Sequence, residues 1–301
     1  MAHPLVPALL GRCQFPPPES SVACAVSGGA DSLALLVLAV SAGLRVTAIH
    51  VDHGLRVGSA DEATVVEEAA AELGAAFQRR TVTVTPGPNL EARARTARYQ
   101  ALPVGVLTGH TADDLAETML VNLLRGAGLD GLAPMRSHDR VARPLLGLRR
   151  TETRALCQAT GLSPVEDPSN EDRRFTRNRV RHDLLPLLAE MGGRDPVPIL
   201  VRQSEFLGAE ASLLDDWAAR LDPTNARALA AAPEVLARRA IRAWLRGTEA
   251  EHHPPTAAEV ARVLNVVRGE SVACELSGER RVERSKGQLT LTVGPQPRRE
   301  G

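Results

Sequence analysis

The chain has almost no lysine. Lys286 is the single lysine among 36 basic residues in a sequence of 301, and the other 35 are arginine. A Walker A phosphate loop requires a lysine directly after its second glycine, but Lys286 lies in the run Glu-Arg-Ser-Lys-Gly-Gln. The sequence therefore excludes P-loop kinases and GTPases. It also disfavours mechanisms that use a lysine Schiff base or a lysyl-nucleotide intermediate.

Cysteine, aromatic residues and long apolar runs are also scarce. The four cysteines form no Cys-x-x-Cys pair, so we expect no zinc site, iron–sulfur cluster or disulfide framework. Only seven side chains are aromatic, so stacking can hold few RNA bases. The longest apolar run, residues 33–40, is too short to span a bilayer. We therefore expect a cytoplasmic protein without membrane contact.

The order of predicted elements indicates the fold. In the first half, predicted strands at 22–26, 45–51, 77–84 and 104–108 alternate with predicted helices at 31–42, 61–73, 93–101 and 112–124. This alternation is typical of a parallel sheet with crossover helices. The second half predicts helices at 197–221, 226–245 and 256–267, then a β-ribbon at 272–293. We predict an α/β fold, with a Rossmann-like domain over 1–195 and a smaller, mainly helical domain over 196–301.

A glycine-rich loop follows the first predicted strand. Its sequence is Ser27-Gly28-Gly29-Ala30-Asp31-Ser32, and a predicted helix begins within it. Glycines allow a ligand to approach the backbone closely, and a helix N-terminus offers free N–H groups to an anion. Asp31 is compatible with Mg²⁺ that bridges it to pyrophosphate. A plain helix cap would explain Asp31 and Ser32, but not the Ser-Gly-Gly before them.

This loop resembles the pyrophosphate loop (PP-loop) of the ATP-pyrophosphatase superfamily. Those enzymes cleave ATP between its α- and β-phosphates, adenylate a substrate oxygen and let a nucleophile displace AMP. The resemblance implies ATP and Mg²⁺ as ligands of residues 27–32. The loop alone does not choose among the superfamily's activities.

Four polar residues follow the fourth predicted strand. His110, Asp113, Asp114 and Glu117 are spaced so that they share one face of a helix. The carboxyl ends of parallel strands carry the ligand crevice, so this face is expected beside the glycine-rich loop. The group could bind Mg²⁺, hold a substrate ammonium or act as a general base. The alternative is a solvated acidic helix start, which the helix dipole favours.

Candidate anion contacts lie in two further segments. His53 and Arg56 lie in the run His-Val-Asp-His-Gly-Leu-Arg at the end of the second strand, where they could reach a nucleotide. Residues 170–182 contain five arginines and two acids, with Arg177 and Arg181 in the run Arg-Asn-Arg-Val-Arg. In a chain of zero net charge, this local excess is expected for phosphate contact, although a solvated helix would carry the same charge.

Taken in order, these segments resemble the tRNA(Ile)-lysidine synthetase family. Its pattern is Ser-Gly-Gly-x-Asp-Ser, His-x-x-His-x-Leu-Arg, His-x-x-Asp-Asp-x-x-Glu-Thr and Arg-Pro-Leu-Leu, then Asp-Pro-Ser-Asn before Arg-Asn-x-x-Arg. This chain carries the whole series within about residues 22–188. Family members often have a second histidine at the position of Thr111.

The resemblance implies a ligase that acts on the isoleucine tRNA with a CAU anticodon. ATP would adenylate C2 of the wobble cytidine, and the ε-amine of L-lysine would displace AMP to form lysidine. A homodimer is possible. The implied site residues are Asp31, His110 and Asp114 for catalysis, with Asp31 on Mg²⁺; 27–32, His53 and Arg56 for ATP; Arg95, Asp114 and Glu117 for lysine; and Arg177 and Arg181 for tRNA.

Three alternatives remain open at this point. A PP-loop 2-thiolase that modifies tRNA would usually need paired cysteines or a cluster. A GMP or NAD synthetase would leave the Arg-Asn run unexplained, and no glutaminase domain is present in the sequence. A tRNA-binding module with an inactive nucleotide site is disfavoured by the intact Ser27, Asp31 and Ser32.

Overall fold

The computed structural model describes residues 3–52, 59–83, 90–135, 140–165, 171–247 and 255–294. The chain divides into two compact units, Met1–Gly208 and Ala209–Gly301. The assignment of ATP and tRNA functions to 1–195 and 196–301 stays a prediction. None of the helices in the described ranges combines the length and the apolar character needed to cross a membrane.

The first unit alternates strands with helices, as predicted. Its elements are α1 (Leu5–Leu10), β1 (Ser21–Ala25), α2 (Ala30–Ser41), β2 (Arg45–Asp52), α3 (Ser59–Glu72), β3 (Ala76–Thr81), α4 (Leu90–Gln100), β4 (Val106–Thr108), α5 (Ala112–Leu124), α6 (Leu129–Leu132), β5 (Val141–Ala142), α7 (Arg150–Ala159), α8 (Thr176–Arg179), a π-helical turn (Val180–Leu184) and α9 (Leu185–Gly192). The longer helix α10 (Val197–Ala218) contains the division between the units.

The sheet of the first unit has the strand order β3-β2-β1-β4-β5, and every pair is parallel. The predicted Rossmann-like sheet is therefore confirmed. The winding direction reverses between β1 and β4, which pair at Ala25 and Thr108. Ligands bind at such a reversal, outside the carboxyl ends of the strands. The loops after β1 and β4 thus emerge side by side.

Helix α2 holds the glycine-rich loop in place because it is buried on nearly all sides. Leu33, Leu35, Leu36 and Leu38 are fully buried in the main core, together with residues of α7. Burial of each such side chain stabilises the fold by about 1.5–3 kcal/mol. A helix anchored in this way presents its N-terminus at a fixed position.

The second unit combines helices with a small antiparallel sheet. Its elements are α11 (Ala226–Ala231), α12 (Glu234–Arg246), α13 (Ala257–Arg268), β6 (Ala273–Leu276), β7 (Arg280–Ser285) and β8 (Gln288–Val293), with the sheet order β6-β7-β8. The single helix predicted at 226–245 is wrong. Pro233 disfavours helical geometry in the residue before it, and Ala232 is extended with ψ of 157°.

Candidate active site

A cleft of about 1020 Å³ opens at the carboxyl ends of β1, β2 and β4. Of the predicted site residues, those that line it are Ser27, Gly29, Ala30, Asp31, Ser32, His110, Asp114 and Arg181. His53 and Arg56 lie outside the described residues. Arg95 lies in α4, but its side chain is also outside the described part of the chain.

The glycine-rich loop is shaped by its own two serines. Ser32 Oγ donates to the carbonyl of Gly29 at 2.8 Å and accepts from the backbone N–H of Ser27 at 3.1 Å. Gly28 has a left-handed φ of +88°, which favours glycine. The N–H groups of Ala30 and Asp31, in the first turn of α2, form no hydrogen bond within the described residues. These orphan donors fit the phosphates of ATP.

The turn after β4 packs directly against this loop. A Cβ on Gly109 would overlap the carbonyl oxygen of Asp31, so only glycine allows this approach. Thr111 caps the next helix, α5, and is fully buried. Its N–H and hydroxyl donate to Asp114 Oδ2 at 2.8 and 3.0 Å. In this chain, the position where relatives often carry a second histidine therefore serves as a helix cap.

Asp31 retains the capacity to bind a cation. Thr153 donates to Oδ1, and Arg150 Nε lies 3.5 Å from Oδ2. Burial raises the pKa of Asp31, although the Thr153 hydrogen bond acts in the opposite direction. The described residues contain no group of three or more potential metal ligands. Mg²⁺ commonly takes one or two carboxylates together with substrate phosphates, so this single carboxylate beside a phosphate loop fits such a shared site.

The carboxylates of α5 are already filled with hydrogen bonds. A carboxylate has about four acceptor positions. Besides the two bonds from Thr111, Asp114 accepts from Arg150 Nη2 and Arg177 Nη2, both at 2.9 Å on Oδ1. Asp113 Oδ1 and Oδ2 accept from the Arg149 side chain and the Arg150 N–H. Neither carboxylate has an open position for another donor.

Glu117 is the most enclosed member of this group. Its side chain has 0% exposure and accepts from Arg150 Nη1 at 2.9 Å, Arg177 Nε at 2.8 Å, and Arg181 Nε and Nη2 at 2.7 and 3.1 Å. Burial alone would raise the pKa of Glu117. The Arg181 hydrogen bond and the neighbouring arginine charges lower it to about 2 instead. Glu117 is therefore a permanent anion that holds three arginines.

His110 faces the cleft in an orientation that β4 supports. Its Nδ1 lies 2.8 Å from Thr108 Oγ1, and that oxygen lies 3.3 Å from the carbonyl of Ala142. If the threonine hydroxyl donates its one proton to the Ala142 carbonyl, it accepts from Nδ1–H of His110. In this tautomer the lone pair of the neutral imidazole lies on Nε2, as a general base requires.

Sequence reasoning missed the contribution of α7 to the site. Arg149, Arg150 and Thr153 contact the acidic residues of α2 and α5, and Arg154 lines the cleft. The sequence contained a signal for them. Three arginines within six residues follow the Arg-Pro-Leu-Leu segment, and Arg150 and Arg154 have the i, i+4 spacing of one helical face.

Comparison with known proteins identifies a matching domain family and similar proteins. Residues 8–188 match the ATP_bind_3 family, a PP-loop domain. The chain is 41% identical to the tRNA(Ile)-lysidine synthase of Nocardia farcinica, over 92% of this chain and 93% of the relative. It is 44% identical to the synthase of Mycolicibacterium paratuberculosis, over 90% of each.

A solved structure with a similar fold is the U34-tRNA thiolase NcsA from Methanococcus maripaludis. Its TM-score is 0.54 at 20% identity, over 68% of this chain and 77% of that chain. This likeness supports the fold alone. The family is shown instead by the match to the PP-loop domain and by the identity to the synthases over nearly their full length. The chain belongs to the tRNA(Ile)-lysidine synthase family.

Proposed function

We propose that this protein is an ATP-dependent ligase that modifies the isoleucine tRNA with a CAU anticodon. It adenylates C2 of the wobble cytidine and joins L-lysine there to form lysidine, with release of AMP and pyrophosphate. The observation that carries the proposal is identity above 40% to synthases of this name over at least nine-tenths of both chains. The cleft geometry is compatible with each step.

In the first step, the C2 oxygen of the cytidine attacks the α-phosphate of ATP, and pyrophosphate leaves. The orphan N–H groups at the start of α2 bind the phosphates that depart, while Asp31 would hold Mg²⁺. When bound, Mg²⁺ would neutralise charge that develops on the leaving group. The predicted ATP contacts of residues 27–32, His53 and Arg56 belong to this proposal.

In the second step, the lysine ε-amine attacks C2, and AMP departs with the oxygen. The amine must first lose the proton of its ammonium form. We assign this proton transfer to His110, because a hydrogen bond from its Nδ1–H to Thr108 places the lone pair on Nε2, the atom that would accept the proton. Glu117 is a poor candidate base, since its pKa is about 2. Contacts of Arg95, Asp114 and Glu117 with lysine stay predictions, as do those of Arg177 and Arg181 with tRNA.

The thiolase alternative lacks an activated thiol. Burial raises the pKa of Cys24 to about 12 and that of Cys157 to about 11. Burial likewise raises the pKa of Cys13 to about 11, and Cys274 lies in β6 of the second unit. Sulfur transfer by cysteine requires the thiolate, which these environments disfavour. The cysteine environments therefore disfavour the thiolase alternative and favour a reaction in which lysine is the attacking nucleophile.

The second unit is assigned to tRNA binding. Residues 278–299 contain six basic and two acidic residues, the balance expected for contact with phosphate. Replacement of the half-exposed Arg281 by glutamate should weaken tRNA binding and leave ATP binding unchanged. Unchanged tRNA affinity would argue against this assignment. A cytoplasmic location and a homodimer also remain part of the proposal.

Transfer of labelled lysine tests the reaction directly. The protein, ATP and radiolabelled L-lysine are incubated with a CAU-anticodon isoleucine tRNA transcript, and with a matched transcript whose wobble cytidine is replaced by uridine. We expect label in the first RNA only, together with AMP and pyrophosphate. Parallel reactions with labelled sulfide test the thiolase. Absence of lysine transfer, with or without sulfur transfer, would refute the ligase.

A further inference from the structure

One face of α7 forms part of the cleft wall. Arg150, Arg154 and Gln158 recur at every fourth residue, so they lie along one side of the helix, and all three line the cleft. On the opposite side of α7, Leu156 packs into the main core. The helix is therefore a rigid support that displays two guanidinium groups and an amide to the cleft.

Arg150 is fixed at the start of this face. Its three nitrogens contact carboxylates on two different elements: Nε meets Asp31 at 3.5 Å, Nη1 meets Glu117 and Nη2 meets Asp114, both at 2.9 Å. Its side chain is 16% exposed. A guanidinium has five N–H donors, so each terminal nitrogen retains an N–H for another acceptor. Arg150 is thus oriented before any ligand arrives.

The α5 carboxylates account for this orientation. Asp114 and Glu117 have no acceptor position left for a substrate ammonium unless an arginine leaves. Displacement of one of these arginines by the substrate ammonium would leave a guanidinium without its carboxylate partner, so it would be unfavourable. Their geometry suits counter-charges that position arginines more than ligands for an amine.

Arg154 is available for a ligand. It is exposed, lines the cleft, and makes no hydrogen bond or ion pair within the described ranges. The Gln158 side chain, one turn further along, likewise has no protein partner there. Planar guanidinium groups match phosphate oxygens in pairs, and an amide can add a further donor. The face is chemically suited to a phosphate group.

We propose that Arg150, Arg154 and Gln158 form a phosphate-binding wall, and that Asp114 and Glu117 hold its arginines in position. The phosphate belongs either to ATP or to the RNA backbone beside the target nucleotide. Both are substrates of the proposed reaction, so this inference rests on the proposed function. It gives α7 a role in substrate binding, which the sequence segments did not assign.

Binding measurements on Arg154→Ala test the wall without depending on turnover. Mg-ATP affinity is measured by calorimetry, and affinity for the CAU-anticodon transcript by filter binding at several salt concentrations. Arg45→Ala is the matched control, because Arg45 begins β2 at the amino ends of the strands, away from the cleft, and its side chain is 67% exposed. Arg154→Lys tests whether charge alone is sufficient.

We expect Arg154→Ala to weaken the binding of one of the two ligands, Mg-ATP or tRNA, about tenfold, which is the effect of losing one charged hydrogen bond. Weaker Mg-ATP binding identifies the triphosphate. Weaker tRNA binding, with a salt slope lower by about one, identifies a backbone phosphate. If both affinities stay within twofold of wild type, the wall is refuted. If the wild-type protein transfers no lysine but Arg154→Ala still weakens Mg-ATP binding, the proposed function is refuted and the phosphate-binding wall is supported.

Discussion

Replacement of Glu117 by glutamine should strongly destabilise the first unit. The carboxylate is fully buried and neutralises three arginines. Its pKa falls from 4.5 to about 2 on folding, and each pKa unit corresponds to about 1.4 kcal/mol, so ionised Glu117 contributes roughly 3 kcal/mol. Removal of one partner from a buried ion-pair network costs about 3–5 kcal/mol. Both arguments predict a loss of roughly 3 kcal/mol or more.

The measurement must report on the first unit. Trp217 and Trp244 both lie in the second unit, so their fluorescence would follow that unit instead. We therefore propose urea denaturation in which the unfolding of the first unit is monitored by hydrogen exchange in peptides that contain β1 and β4. Glu19→Gln is the matched control, because its ion pair with Arg45 spans 3.7 Å between exposed side chains. Such surface pairs contribute at most about 1 kcal/mol.

The effect should also depend on pH in one direction. Because the folded pKa of Glu117 lies below its unfolded value of 4.5, its contribution is complete above that pH. The contribution is lost as pH falls towards about 2. The difference in unfolding free energy between wild type and Glu117→Gln should therefore be constant from neutral pH to about 5 and shrink below it. A difference under 1 kcal/mol at neutral pH would refute the role of Glu117 as a buried counter-charge.

Three further substitutions test the site. Asp31→Asn should abolish pyrophosphate release while tRNA affinity, measured by filter binding, stays within twofold; retained turnover would contradict the Mg²⁺ role. Gly109→Ala should destabilise by about 1–3 kcal/mol in thermal unfolding because the new Cβ overlaps the loop after β1. Gly128→Ala should have little effect, because no atom of the described residues lies within 4 Å of the added Cβ. Thr108→Val should slow lysine transfer about tenfold and alter its pH profile through His110, and Thr108→Ser should restore both. Equal profiles for the valine and serine variants would rule out that orientation.

The PP-loop could be predicted in detail because its determinants are local. Glycines 28 and 29 and the start of α2 lie within a few residues of one another, and the alternation of strands and helices is visible in the same stretch. Turn geometry and hydrophobic periodicity depend on neighbours along the chain. For the same reason, the four predicted strand–helix pairs appear in the structure.

Two short elements and one break between helices were missed. The strand β5 has only two residues, too few for any periodicity, and it forms because β4 offers an edge to pair with. The break between α11 and α12 carried a local signal, Pro233, which the apolar pattern around it obscured. Helix α1 is likewise short: its six residues follow Pro4, contain Pro7 and end before Gly11.

By itself, the sequence indicated three segments that the structure brings together: the loop after β1, the His-x-x-Asp-Asp-x-x-Glu helix and the arginines near residue 180. Only the tertiary structure decided what each carboxylate faces. Glu117 and Arg181 are 64 residues apart in the chain but bonded at 2.7 Å, and Arg150 reaches Asp31 from 119 residues away. Ionic partners are set by how helices pack, and a charge pattern along one segment cannot reveal the opposite charges that tertiary packing brings to it.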